Sequence, residues 1–133
     1  MFIHFEKEWL PGRLGVERCK TVYPFRSFLD AGIKLAGASD APIEPPDVLQ
    51  SIYCCVTREG FEPHQCISAE EALRMYTLDA AYTQFEDGIK GSITPGKRAD
   101  LVMLSDDPFK VKPDKIKDIK VLRTVVGGET VYN

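Results

Sequence analysis

The chain has 133 residues, 44% of them hydrophobic, with 17 lysines and arginines against 20 aspartates and glutamates. That is the length of one ordinary domain, and a near-balanced charge without a basic block excludes nucleic acid and anionic membranes as main partners. No apolar run approaches the ~18 residues of a membrane span, and the opening MFIHFEKEW lacks a signal-peptide core, so the expected location is the cytoplasm.

The first twenty residues are mixed, with a turn expected at Pro11-Gly12. From Tyr23 the spacing predicts a helix with Pro24 at its first position. Val22, Phe25 and Leu29 lie along one side, and Gly32 suits the C-terminal cap. IKLAGAS, residues 33–39, is short, apolar and without helical period, which predicts a strand buried on both faces. Another helix follows Asp47, which is placed to cap or charge its start; there Leu49, Ile52, Tyr53 and Val56 give an i, i+3, i+4, i+7 stripe. REGFEPHQC reads as a loop. Ser68 and Glu71 then form a capping box, opening a helix that carries Ala69, Ala72, Leu73, Tyr76 and Ala80 on one face.

After Asp87-Gly88 the character changes. GIKGSI and ADLVMLS predict strands, separated by the type II turn TPGK. IKVLRTVV and ETVYN predict a hairpin closed by Gly127-Gly128. The chain therefore divides near residue 87, into an α/β part over 1–87 and an all-β part over 88–133.

Helix, buried strand and helix make the grammar of a parallel α/β fold, in which ligands sit beyond the C-terminal strand ends. Asp40 occupies that end of the segment 33–39. A carboxylate there binds a metal or exchanges a proton with water; an aspartate there also simply ends a strand ahead of Pro42. His4 and His64 are the only histidines. Neither H-x-H nor H-E-x-x-H occurs, so the three protein ligands of a catalytic zinc are not visible. Ser39 lacks a G-x-S-x-G setting, and VVGGETVY lacks the lysine and following helix of a phosphate loop.

Cys19, Cys54, Cys55 and Cys66 form no C-x-x-C pair, and adjacent residues on a helix point about 100° apart. They read as small buried hydrophobes with free thiols. Asp100 reads as a hydrogen-bond acceptor at a strand start and Asp106-Asp107-Pro108 as a turn. Spacing alone assembles no complete site.

Three stretches together resemble the C-terminal end of the amidohydrolase superfamily, specifically amidohydrolase family 3, the YtcJ-like metal-dependent hydrolases. They are RLGVERCKTVYPFRSFLDAGIKLAGASDAPIEPPDVLQSIYCCVTR, ISAEEALRMYTLDAAYTQFED, and KGSITPGKRADLVMLSDDPF with the closing VVGGETVY. The G-x-S-D-A-P and G-S-[IL]-x-P-G-K-x-A-D-L-V blocks carry the likeness, which runs from about His4 to Tyr132.

The resemblance implies a metal-dependent hydrolase acting on small, amide-like C–N bonds. Its fold would be a (β/α)8 TIM barrel with a small β-sandwich built from both chain ends. Family ligands come from an H-x-H, a Lys or Glu mid-barrel, later histidines, and an aspartate at the end of strand eight. Asp40 matches that aspartate, whose family role is to contact a divalent metal, zinc here, accept a proton from bound water and pass it to the departing nitrogen. Metal binding lowers that water's pKa from 15.7 to roughly 7. His4 is similar in place to the histidine of a Q-P-x-H segment, which implies a substrate-side role, although the Gln-Pro is missing and Met1-Phe2-Ile3 stands in its place. His64 matches no family ligand.

A barrel of this class takes ~250 residues, so the expectation is an incomplete fold. It would hold C-terminal strands and helices of the barrel over 1–87 and β-strands of the sandwich over 88–133. One carboxylate does not hold a zinc ion; the chain alone is expected neither to bind metal tightly nor to hydrolyse amides. Val22, Phe25, Phe28, Leu29 and Ile33 are expected to lack barrel partners, and self-association would cover them. Two other readings stay open: a non-catalytic interaction or regulatory protein that kept part of the fold, and a subunit that completes a site with another chain.

Overall fold

The computed structural model describes residues 2–133. Helices fill the first part of the chain and a three-stranded antiparallel sheet the last, so the fold mixes helix and sheet as the sequence predicts. Short helices α1 (Phe2–Glu6), α2 (Leu10–Leu14) and α3 (Val16–Cys19) open it. The expected turn at Pro11-Gly12 is a correction: both residues lie inside α2. Proline is tolerated there because a first-turn residue needs no N–H partner.

Helix α4 (Phe25–Asp30) ends as Gly32 predicts. Gly32 adopts φ +75°, its N–H donates to the Leu29 carbonyl at 2.9 Å, and the Ile33 N–H donates to the Phe28 carbonyl at 2.9 Å. That pair of bonds is a Schellman stop. Helix α5 (Val48–Thr57) starts where the Asp47 carboxylate accepts the Gln50 N–H at 2.9 Å. Its deeply buried side is Ser51, Ile52, Cys54 and Cys55, so the burial centre is rotated from the predicted Leu49–Ile52–Tyr53–Val56 stripe.

Helix α6 (Ala69–Met75) carries both halves of the capping box. The Ser68 hydroxyl accepts the Glu71 N–H at 3.1 Å, and the Glu71 carboxylate accepts the Ser68 N–H at 2.8 Å. The helix expected to continue through Ala80 is instead broken, and α7 (Leu78–Thr83) follows as a separate element. Thr77 stands between them at φ −129°, ψ −98°, and its hydroxyl donates to the Leu73 carbonyl at 2.9 Å. A threonine bonding back one turn competes with the helical ladder.

Residues 33–39 form no strand, which corrects the buried-strand expectation. They are extended, but only Leu35, Gly37 and Ser39 are partly covered while their neighbours face outward. An extended segment becomes a strand only with a backbone partner beside it, and none lies along this one among the described residues. GIKGSI is also not a strand. The Lys97 ammonium donates to the carbonyls of Asp87 (2.5 Å) and Lys90 (3.3 Å) and to the Ser92 hydroxyl (2.7 Å), so this stretch wraps a side chain.

The sheet runs β1 (Leu101–Leu104), β2 (Val121–Val126), β3 (Glu129–Tyr132), in that order. The predicted hairpin is present, with Val126 opposite Glu129 across Gly127 (φ +58°) and Gly128 (φ +89°). Two positive φ values in a two-residue turn match the twist of the strands it joins. Asp100 accepts the Gly127 N–H at 2.7 Å, as its placement predicted. Asp107 accepts the Phe109 N–H at 2.9 Å, which makes the predicted turn before β2.

The core joins the two parts of the chain. Ile52, Cys55, Ile67, Ala72 and Met75 pack with Ile116, which comes from a 3₁₀ turn (Pro113–Asp118) between β1 and β2. Phe25 and Leu29 pack partly onto that cluster. Phe28 and Ile33, expected to lack cover, are 40% and 49% exposed. The cysteines are free, with Cys19, Cys54 and Cys55 buried and Cys66 half-buried. Burial pushes the Cys55 thiol up to about 11, so it stays protonated and inert at neutral pH.

Candidate functional site

Asp40 closes the extended segment in the left-handed region, at φ +57°. Asparagine and aspartate enter this region several-fold more often than other residues that carry a Cβ. The Asp40 carbonyl accepts the Ile43 N–H at 2.9 Å, starting the turn that leads to α5. The Asp40 side chain is exposed, and no hydrogen bond or ion pair engages its carboxylate among the described residues.

Two cavities flank it along the chain. One, about 170 Å³, is lined by Ala36, Gly37 and Ala38 together with Tyr23, Met75 and Tyr76. The other, an open depression of about 680 Å³, is lined by Ala41 to Pro46 and Phe5. Asp40 lies between these two linings in the sequence.

The segment ahead of Asp40 is held from below. The Gly37 N–H donates to the Met75 carbonyl at 2.8 Å, a group left over at the end of α6. Gly37 also lies directly against the Tyr76 ring: a Cβ there would come within 2.4 Å of the ring. Only glycine allows the two to approach so closely. The run LAGAS contains this glycine, but its partner forty residues on was not legible.

His4 goes elsewhere. Its Nδ1 lies 2.8 Å from Glu59 Oε1, and the other Glu59 oxygen takes the Lys7 ammonium. Burial pushes the Glu59 carboxyl up, but Lys7 and His4 together outweigh it and hold it below the ordinary glutamate value. The same contact raises the Lys7 pKa, against the opposing effect of burial. This cluster ties α1 to the turn after α5. No hydrogen bond or ion pair joins His4 to Asp40 among the described residues. His64 is exposed, 3.4 Å from Glu62.

Sequence reasoning also missed Arg58, which is fully buried just past α5. Its guanidinium donates to the carbonyls of Val22 (3.0 Å), Tyr23 (2.8 Å) and Phe61 (2.8 Å). Nothing in the string TREGF distinguishes this arginine from a solvated one.

The donor set is that of a single ligand. Among the described residues no three His, Cys, Asp or Glu side chains converge in a way that could hold a metal ion. A catalytic zinc takes three protein ligands, so these residues by themselves do not fit a resident divalent ion. Asp40 supplies a free carboxylate and nothing beside it.

A sequence profile described as the amidohydrolase family matches residues 1–132. The chain is 33% identical to the Bacillus subtilis protein YtcJ, whose name assigns it to the amidohydrolases, over 98% of this chain and 26% of that protein. It is 37% identical to the N-substituted formamide deformylase of Arthrobacter pascens, over 84% of this chain and 21% of that protein. An uncharacterized metal-dependent hydrolase from Pyrococcus furiosus superposes with a TM-score of 0.73 at 36% identity, covering 82% of this chain and 23% of that one. The chain thus spans about a quarter of the length of these relatives.

Proposed function

This chain belongs to the amidohydrolase family, and from that premise we propose that it is the C-terminal portion of a metal-dependent hydrolase cleaving non-peptide, amide-like C–N bonds of small molecules in the cytoplasm. Residues 1–87 belong to its (β/α)8 barrel and residues 88–133 to its β-sandwich. Segment 33–39 becomes a barrel strand once backbone neighbours flank it. The Arthrobacter relative is named for a formamide substrate, which favours N-substituted formamides as the first substrates to try.

The observation that carries the reading is Asp40: an exposed, unengaged carboxylate in a left-handed turn at the end of a pinned, extended segment. Such a group is free to take a proton from water and return it to a departing nitrogen. The metal is a divalent ion, zinc, with Asp40 as the one ligand from this segment; the others lie elsewhere in the whole protein. His4, tied down by Glu59, is better suited to anchoring α1 than to meeting substrate.

The test is Asp40→Asn in the whole protein that carries this segment. Turnover of N-substituted formamides should fall by roughly 10²–10⁴-fold while circular dichroism stays unchanged. Undiminished turnover overturns the assignment. Absence of any turnover or metal binding by the whole wild-type protein would favour a non-catalytic interaction role instead.

A further inference from the structure

Asp40 itself is anchored by little. Among the described residues, one backbone hydrogen bond ties residues 34–39 to the rest of the fold, from the Gly37 N–H to the Met75 carbonyl. The Tyr76 ring lies beside it, so close to the Gly37 backbone that any side chain there would strike it. We propose that Tyr76 is a positioning residue for Asp40: its ring is the surface on which the extended segment rests, and it sets where the carboxylate emerges. The inference rests on the reading of Asp40 given above.

The geometry gives the reason for each residue type. The contact is with the hydroxyl-bearing end of the ring, Cζ and both Cε atoms, and an aromatic ring offers a rigid seat that a flexible aliphatic chain does not. Tyr76 is partly buried against the core of α5 and α6, so the seat is fixed to the most solid part of the molecule. Gly37 removes the one atom that would hold the backbone away from it. Only Ala38 and Ser39 separate Gly37 from Asp40, three steps of about 3.3 Å or roughly 10 Å along an extended chain. A tilt at the seat therefore reaches the carboxylate with little in between to absorb it. Catalytic groups displaced by about 1 Å lose on the order of 10²-fold in rate.

The experiment uses nitrogen-15-labelled chain and reads amide exchange and chemical shifts residue by residue. Tyr76→Phe keeps the ring and should leave Gly37 exchange within about twofold and the Asp40 signals in place. Tyr76→Ala should speed Gly37 exchange at least tenfold and shift Ser39 and Asp40, while Ile52 and Cys55 in α5 change far less. Should Tyr76→Ala fail to fold, Gly37→Ala decides: it keeps the tyrosine but forces ring and segment apart, and the same residues should respond. A uniform change across α5 and the segment marks a merely structural role and overturns the proposal. So does a silent segment, or a Tyr76→Phe effect as large as that of alanine. None of these readouts depends on Asp40 being catalytic, so their failure is separate from an unaffected Asp40→Asn enzyme.

Discussion

Arg58 brings a guanidinium into the interior with no carboxylate paired to it among the described residues. Three main-chain carbonyls satisfy it instead, and the rings of Phe25 and Phe61 lie 5.7 and 5.8 Å from its centre. Removing a donor that serves several buried acceptors costs more than the bonds themselves contribute. Arg58→Leu should therefore lower stability by about 3 kcal/mol, read as a lower urea midpoint. Arg58→Lys should recover little, because an ammonium cannot span the same three carbonyls. Equal midpoints for wild type and leucine variant would refute this. At this scale Asp40 was legible, because its type and place in G-x-S-D-A-P are local properties. Arg58, Glu59 and the Gly37–Tyr76 contact were not, because each is defined by a partner far away in sequence.

The elements that were legible are those whose instructions lie within a few residues. The capping box, the Asp47 cap, the Gly32 stop and the Gly127-Gly128 turn each act across six residues or fewer. Residues 33–39 were misread because being a strand depends on neighbours, and GIKGSI because it curls about the Lys97 ammonium, which takes the Lys90 carbonyl and the Ser92 hydroxyl. The start of α6 gives a test with a definite sign. The Ser68 N–H bond is the largest cause holding the Glu71 carboxyl below its ordinary value; burial opposes it, and the Arg26 guanidinium adds to it. A depressed folded pKa contributes stability that is present above the unfolded value and lost as pH falls through the folded one. Acidification from neutral through the carboxylate range below ~4.3 should thus weaken the wild type more than Glu71→Gln, in urea unfolding at each pH. Ser68→Ala should cost about 1 kcal/mol at neutral pH. Parallel pH curves for wild type and Glu71→Gln would dismiss the capping contribution.

For the whole molecule, the sheet is the exposed part. Val102, Met103, Leu122, Val126 and Val131 are each 49–62% exposed, on a sheet whose outer strands β1 and β3 both present open edges among the described residues. Open edges with apolar side chains pair readily with other chains. Sedimentation velocity should show the chain associating as its concentration rises, and Val102→Lys with Val131→Lys should reduce this. A monomer at every concentration, with little binding of an apolar dye, would count against it. Family membership was legible at this scale, since the two sequence blocks belong to it together. The joining of the halves was not: Ile116 looks like one more apolar residue in a lysine-rich turn, yet it lies in the core beside Ile52 and Met75. That placement sets an order of events during synthesis. Helix α5 emerges from the ribosome well before the turn that holds Ile116, so its face stays unsealed until translation has passed that residue. Between those two points the nascent chain carries a greasy, half-finished core, and this interval is when chaperones have most to do.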